Sequence, residues 1–380
     1  MNNVKIGTLI REISDKTTCN NQYEVLTSSQ RGIVSQEEYF NKQIASQDNT
    51  GYKIIKHGQF TYRSMSDTGK FYINRLIDKE IGIVSPAYPV FEIVSDEIMP
   101  EYLELFFKSN SFQRQISGKS NGSTRLALKY KKLEAVNIEL PTLDIQKEII
   151  GRIAKIRKSS EKCLKQMQLL EELVSTRFIE LFADDLKRGG LTIRDIAEDA
   201  TVGIANSATH AYSESGVVLL RNQNIRVNYL DDDDLIHITP EFAAKYENKR
   251  LQEDDILITR TGANVGMACL VPKEYEGCQT FTTLILRLKP DAGLTPTFVC
   301  HYINSPLGKA FIEKKKVGGA QPNFGVKQLV SMPIAIPSKE KQEQFINLIE
   351  RVGNMKNQTR NMYDKYSELF EKKMDEVFVI

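Results

Sequence analysis

Leu140-Pro141-Thr142-Leu143-Asp144-Ile145-Gln146 and Ile336-Pro337-Ser338-Lys339-Glu340-Lys341-Gln342 are one pattern written twice. Each has an aliphatic residue, a proline, a small hydroxyl residue and, four positions on, a glutamine. From Gln146 to Gln342 is 196 positions, about half of the 380-residue chain. At that offset, without a gap, Ile149 falls on Phe345, Ile153 on Ile349, Ile156 on Val352 and Phe182 on Phe378. Upstream, Pro100 falls on Pro296, Tyr102 on Phe298, Ser109 on Ser305, Gly122 on Gly318 and Leu133 on Leu329, while Phe60 and Tyr62 fall on Ile256 and Ile258. A period this long is a tandem duplication of whole domains, not a solenoid of roughly 20–50-residue units.

The motif itself predicts a helix start: a proline, then Thr142 or Ser338 as N-cap, then about forty residues without another proline. Those residues carry apolar side chains every three or four positions. In the first copy the row includes Ile149, Ile153, Ile156, Met167, Leu170 and Val174. In the second it includes Phe345, Ile349, Val352, Tyr363, Tyr366 and Phe370. Such a stripe is a coiled-coil seam, and forty residues make a rod of about 60 Å. The economical partner for one stripe is the other, paired antiparallel so that a pseudo-two-fold axis relates the halves and the rod separates them. Two unconnected helices, each packed on its own domain, are the plainer alternative.

Ahead of each helix lie short apolar runs such as Ile256-Leu257-Ile258 and Thr283-Leu284-Ile285-Leu286, broken by Gly, Asn and Ser as strands and turns are. Helical patterns follow at Glu101–Ile116 and Pro296–Glu313. The expected architecture is two α/β (α+β) domains, 1–141 and 186–337, each followed by a long helix, 142–185 and 338–380.

Apolar residues at 41% and charged residues at 26% exclude disordered and fibrous classes. No apolar run approaches the ~20 residues of a membrane-spanning helix, and the first residues, Met1-Asn2-Asn3-Val4-Lys5, lack a signal-peptide pattern. Five cysteines without CxxC spacing argue against a disulfide framework or zinc cluster and for a reducing cytoplasm. The four histidines have no metal-ligand spacing. Gly118-Lys119-Ser120 lacks the first glycine of a phosphate loop, since position 113 is Gln113. Asp291 and Glu313 superficially match a nuclease carboxylate pair, but Glu313 closes a helical pattern where a strand is needed. No metal or catalytic site is expected.

Fifty-one Lys and Arg nearly balance forty-nine Asp and Glu, for a net charge of +2. Against that background two local excesses are informative. Between Leu105 and Leu133 stand Lys108, Arg114, Lys119, Arg125, Lys129, Lys131 and Lys132 with no acid; between Ser305 and Val330 stand Lys309, Lys314, Lys315, Lys316 and Lys327 against Glu313 alone. Clusters of this kind bind phosphates. The polar loops among them offer groove-reading side chains: Asn121, Ser123 and Arg125 in one half, Gln321 and Asn323 in the other. A second loop pair follows a strand, with Arg63 and Ser64, and with Arg260, Thr261 and Asn264. The acidic run Asp231–Asp234 is expected to face away from DNA.

Two diverged halves, each closing in an Ile/Leu-Pro entry with its glutamine and a long helix, and Gly318-Gly319-Ala320-Gln321-Pro322-Asn323 ahead of the second, resemble the DNA-specificity (S) subunit of type I restriction–modification systems. Thr259-Arg260-Thr261-Gly262, Gly318 to Leu329 and Pro337 to Gln342 match best. The first repeat departs, with Ser123-Thr124-Arg125-Leu126 where the second has Gly319-Ala320-Gln321-Pro322. The resemblance implies two target recognition domains reading a bipartite site in double-stranded DNA, and spacer helices paired antiparallel. It implies two methyltransferase subunits that carry S-adenosylmethionine, restriction–motor subunits, and a specificity chain with no cofactor or catalysis of its own, acting in cytoplasmic DNA methylation and phage defence. The competing readings are a scaffold whose paired helices dock partner proteins, and a nuclease using Asp291 and Glu313.

Overall fold

A computed structural model of the chain describes residues 2–39, 48–117, 126–188, 190–205, 208–318 and 322–378. It divides into two units that do not follow chain order. Unit 1 comprises Met1–Leu164 with Arg360–Ile380, and unit 2 comprises Lys165–Thr359.

In unit 1 the apolar runs form a four-stranded antiparallel sheet from Ile10–Ile13 (β1), Phe60–Tyr62 (β2), Ile73–Arg75 (β3) and Val90–Ile93 (β4), in the order β1-β4-β2-β3. Every residue of β2 is buried, so this central strand is apolar on both faces where an edge strand would alternate. Helices Pro100–Lys108 (α1), Asn110–Ile116 (α2) and Tyr130–Glu134 (α3) belong to the same unit. Phe91 stacks on Phe60 at 5.3 Å and meets the α1 residue Phe107 edge-on at 6.2 Å. Helix Leu143–Arg188 (α4) begins in this unit.

Unit 2 repeats the plan with Ala197–Val202 (β5), Ile256–Ile258 (β6), Ala268–Leu270 (β7) and Leu284–Leu288 (β8), in the order β5-β8-β6-β7. Its helices include Pro296–Asn304 (α5), Pro306–Lys315 (α6), Val326–Val330 (α7) and the first part of the long Lys339–Val377 (α8), whose end belongs to unit 1. Unit 2 adds a second four-stranded sheet whose own small core includes Leu219, Ile238 and Phe242.

The single helical patterns expected at Glu101–Ile116 and Pro296–Glu313 are each two helices. The chain turns extended at Ser109 and at Ser305 (ψ 152° and 162°). There the serine Oγ accepts from the Phe112 N–H (3.1 Å) or the Gly308 N–H (3.2 Å) and caps the second helix. Periodicity runs through the break, because the apolar face continues across it.

Within unit 2, α4 and α8 run antiparallel: Lys356 Nζ donates to Glu171 at 2.7 Å, and Lys341 Nζ to Asp185 at 2.6 Å. Phe178 and Phe182 lie 5.3 and 5.5 Å from Phe345, and Phe182 meets Phe298 of α5 edge-on at 4.8 Å. In unit 1, Ile153 of α4 shares a core with Met374 and Phe378, and Phe378 lies 5.2 Å from Tyr102 of α1. Tyr102–Phe378 and Phe298–Phe182 are the same pair of repeat positions. Thus each body is covered by the C-terminal end of the helix that closes the other half of the chain. Of the twelve seam residues expected, Ile153, Leu170, Val174, Phe345 and Val352 are buried, and Ile149, Ile156, Met167, Ile349, Tyr363, Tyr366 and Phe370 are half-buried. Among the described residues, no helix is long and apolar enough to cross a membrane.

The glutamine of the duplicated motif has a structural task. Gln146 is fully buried: its Nε2 donates to the carbonyls of Glu97 (2.8 Å) and Pro141 (2.9 Å), and its Oε1 accepts from the Met99 N–H (2.8 Å). Gln342 does the same to Gly293 (2.9 Å), Pro337 (3.1 Å) and the Thr295 N–H (3.0 Å). Each side chain ties the first turn of a long helix to the N-cap of α1 or α5.

Candidate nucleic-acid interface

In each unit the loop that follows the central strand, β2 or β6, pairs with a second segment of the chain. In unit 2, Thr259 is fully buried, and its Oγ accepts from the Met267 N–H at 3.0 Å. The Gly266 N–H donates to the Thr259 carbonyl at 2.9 Å, closing the loop that holds Arg260–Val265. Gly266 sits at φ +86°, and a Cβ there would stand 2.7 Å from Ile312 of α6. Only glycine fits, so the base of the loop is pinned to α6.

A second segment crosses this loop. Asn323 pairs with Thr261 and, through two backbone hydrogen bonds of 2.8 and 2.9 Å, with Val317; the Phe324 N–H donates to the Arg260 carbonyl at 2.9 Å. Asn323 Oδ1 then accepts from Arg260 Nε at 3.2 Å. Arg260 is half-buried, while Thr261 and Asn264 are exposed. Among the described residues the guanidinium is held by one edge, which leaves its remaining donors for a ligand.

Unit 1 has the equivalent crossing: Met65 pairs with Ala127, and the Leu128 N–H donates to the Ser64 carbonyl at 2.9 Å. These are the positions of Thr261, Asn323, Phe324 and Arg260 moved by the repeat offset. Ser64, half-buried, is thus the counterpart of Arg260, and the exposed Arg63 is the counterpart of the buried Thr259. Lys119, Asn121, Ser123, Arg125 and Gln321 lie outside the described residues.

The basic runs divide. Lys314 and Lys315, in the last turn of α6, are exposed, with Lys315 Nζ 5.9 Å from the Phe311 ring centre. Lys316 is half-buried and pairs with Glu313 at 2.7 Å. In unit 1, Lys132 Nζ donates to the Ile116 carbonyl (2.5 Å) at the end of α2, and burial pushes the Lys108 amine below its usual pKa. Lys132 is thereby committed to the fold. Glu313 lies within α6, the geometry that counts against a strand-borne carboxylate pair with Asp291.

The family described as the type I restriction modification DNA specificity domain matches residues 8–172 and 192–363. The chain belongs to this family. Both copies of the DNA specificity domain are spanned, one in each half. The chain is 20% identical over 274 residues to the type I restriction enzyme EcoKI specificity subunit of Escherichia coli (strain K12), a match covering 67% of this chain and 59% of that protein. It is 22% identical over 140 residues to the EcoBI specificity subunit of Escherichia coli, covering 37% and 29%. These matches thus span less than two thirds of the curated relatives. The fold is shared with the S subunit of a type I restriction–modification system from M. genitalium, at a TM-score of 0.51 and 13% identity over 100% of this chain and 96% of that one. It is shared also with a chain solved in work on complex assembly and conformational transition of the type I R-M system, at 0.58 and 15% over 99% and 97%.

Within this DNA specificity domain, one side chain at the candidate interface went unread in the sequence. Asn222 Nδ2 donates to Thr261 Oγ1 at 3.4 Å across 39 positions, and its Oδ1 is buried without a partner among the described residues. No local pattern marks it, because only the meeting of two distant loops places it there. The last residue of the acidic run, Asp234, is tied to the same segment. Asp234 accepts from Arg221 and Gln223, the two neighbours of Asn222, so this carboxylate does not stand apart from the interface residues.

Proposed function

We propose that this chain is the subunit through which a type I restriction–modification complex reads a bipartite site in double-stranded DNA. Residues 1–141 and 186–337 act as its two target recognition domains, and residues 142–185 and 338–380 as spacer helices that also carry two methyltransferase subunits. Restriction–motor subunits join that assembly. S-adenosylmethionine and the methyl-transfer chemistry belong to the methyltransferase subunits; the specificity chain contributes binding and placement. The observation that carries this reading is the duplicated crossing of loop and strand end, Ser64–Met65 with Ala127 and Arg260–Thr261 with Asn323, in two bodies of identical strand order. Diverged residues at equivalent positions, serine against arginine, are what a protein needs to read two different short sequences.

Mapping methylated adenines genome-wide, with and without the gene, tests the reading. An Arg260→Ala, Asn323→Ala variant should relax one half of the split site and spare the other. Equal loss at both halves, or a methylome unchanged by deletion, would overturn it. The purified chain with S-adenosylmethionine alone should methylate nothing.

A further inference from the structure

Asp234 is bound as a ligand would be. Its carboxylate accepts from Arg221 Nη2 at 3.0 Å and from Gln223 Nε2 at 2.9 Å, yet the side chain is 77% exposed. The residue sits at φ +56°, the left-handed region, which a non-glycine residue adopts at some cost. The arginine that holds it is 24% exposed, and its Nη2 also donates to the Asp234 backbone carbonyl at 2.5 Å. The Arg221 N–H donates to Asn224 Oδ1 at 2.9 Å, and the fully buried Asn224 in turn donates to the carbonyls of Asp231 and Asp233 at 3.0 and 3.1 Å. The loop is therefore built around Asn224, while the Asp234 carboxylate is an exposed occupant of two donors.

Those donors are incompletely used. Among the described residues Arg221 Nε is buried without a partner, because the Asp234 carboxylate meets the guanidinium only at Nη2. A buried N–H left unpaired needs a physical reason. A phosphodiester, whose two non-bridging oxygens share one negative charge, can meet the guanidinium fork at two nitrogens, where this carboxylate meets it at one. Arg221 and Gln223 flank Asn222, which bonds Thr261. A phosphate bound here would thus lie next to the strip of Asn222, Thr261, Asn323 and Arg260.

We propose that Arg221 and Gln223 form a DNA-phosphate site of unit 2, that the Asp234 carboxylate fills it in the DNA-free chain, and that the DNA backbone displaces Asp234 on binding. The inference rests on the reading that unit 2 binds duplex DNA. The exchange makes each encounter with DNA break one ion pair before it forms another, which weakens binding to arbitrary sequence.

The test is fluorescence anisotropy with the full-length chain and a labelled 30-base-pair duplex of arbitrary sequence, titrated from 50 to 200 mM salt. Asp234→Asn keeps a residue that tolerates the left-handed backbone, and it should tighten binding by about two- to five-fold, the range of an exposed ion pair. Asp233→Asn removes the same charge one position away and should give a smaller gain. Arg221→Gln should weaken binding, lower the salt slope by about 1, and abolish the gain from Asp234→Asn in the double variant. Equal gains from Asp233→Asn and Asp234→Asn would reduce the effect to bulk charge and overturn the proposal. So would a gain that survives in the Arg221→Gln background. If the unaltered chain fails to bind duplex DNA at 50 mM salt, the DNA-recognition reading falls with it.

Discussion

Replacing Gln342 with leucine removes one side chain that satisfies three backbone groups. The Thr295 N–H loses its acceptor, and the carbonyls of Gly293 and Pro337 lose their donor. Gln342 is 4% exposed, so water cannot readily replace it. At about 1 kcal/mol for each lost hydrogen bond, and more for any group left buried and unpaired, the cost is about 3 kcal/mol, within a range of roughly 2–5. Gln342→Glu is the sharper test. One oxygen can still accept from the Thr295 N–H, but the other then faces two carbonyl oxygens and can approach them favourably only when protonated. The folded-state pKa of this glutamate must therefore rise above the unfolded value of about 4.3. The stability contributed by the protonated form is fully present below about pH 4.3 and is lost as pH rises through the folded pKa. Between those two values the variant loses up to about 1.4 kcal/mol per pH unit relative to the parent. Because the chain has two units, a single unfolding midpoint is a poor readout. Hydrogen exchange by mass spectrometry reads each segment instead. Gln342→Leu should deprotect Thr295–Asn304 and leave Met99–Lys108 unchanged, and Gln342→Glu should recover protection toward pH 4. A leucine variant that loses less than about 0.5 kcal/mol, or a glutamate variant as flat with pH as the parent, would refute the account of the motif.

Phe182→Ala should destabilise unit 2 by about 3–5 kcal/mol, since the ring packs on both Phe298 and Phe345; Leu173→Ala, at 42% exposed, should cost less than about 0.5 kcal/mol, both read by segment-resolved exchange. Arg260→Ala and Asn323→Ala should each cost about 1–3 kcal/mol at one half-site. Because Asn323 Oδ1 holds Arg260 Nε, the double variant should cost clearly less than the two single losses combined, measured as binding to a duplex carrying the methylome-defined site. Lys314→Ala with Lys315→Ala should weaken binding to every sequence alike and lower the salt slope by about 0.9 for each DNA phosphate that is no longer neutralised.

Much of this molecule is determined by its sequence alone. The offset between the two proline–glutamine motifs establishes the duplication, and proline with a hydroxyl N-cap places the starts of α4 and α8 within a residue, because capping is local chemistry. The three-to-four spacing marks which side of each long helix avoids water. It does not say what covers that side: hydrophobic burial has no direction, and Phe182 and Phe378 carry the same pattern. Only the tertiary structure decides that Phe378 packs on Tyr102 and Phe182 on Phe298, so that each unit closes with the helix of the other half of the chain. The same holds at the interface. Arg260 was legible as a basic residue after a strand, but its fixing by Asn323 and the approach of Asn222 to Thr261 join segments 63 and 39 positions apart. Hydrogen bonds over such distances depend on how loops cross, and loop crossings are set by the packing of β6, β7 and α6 around Gly266, not by any short run of residues.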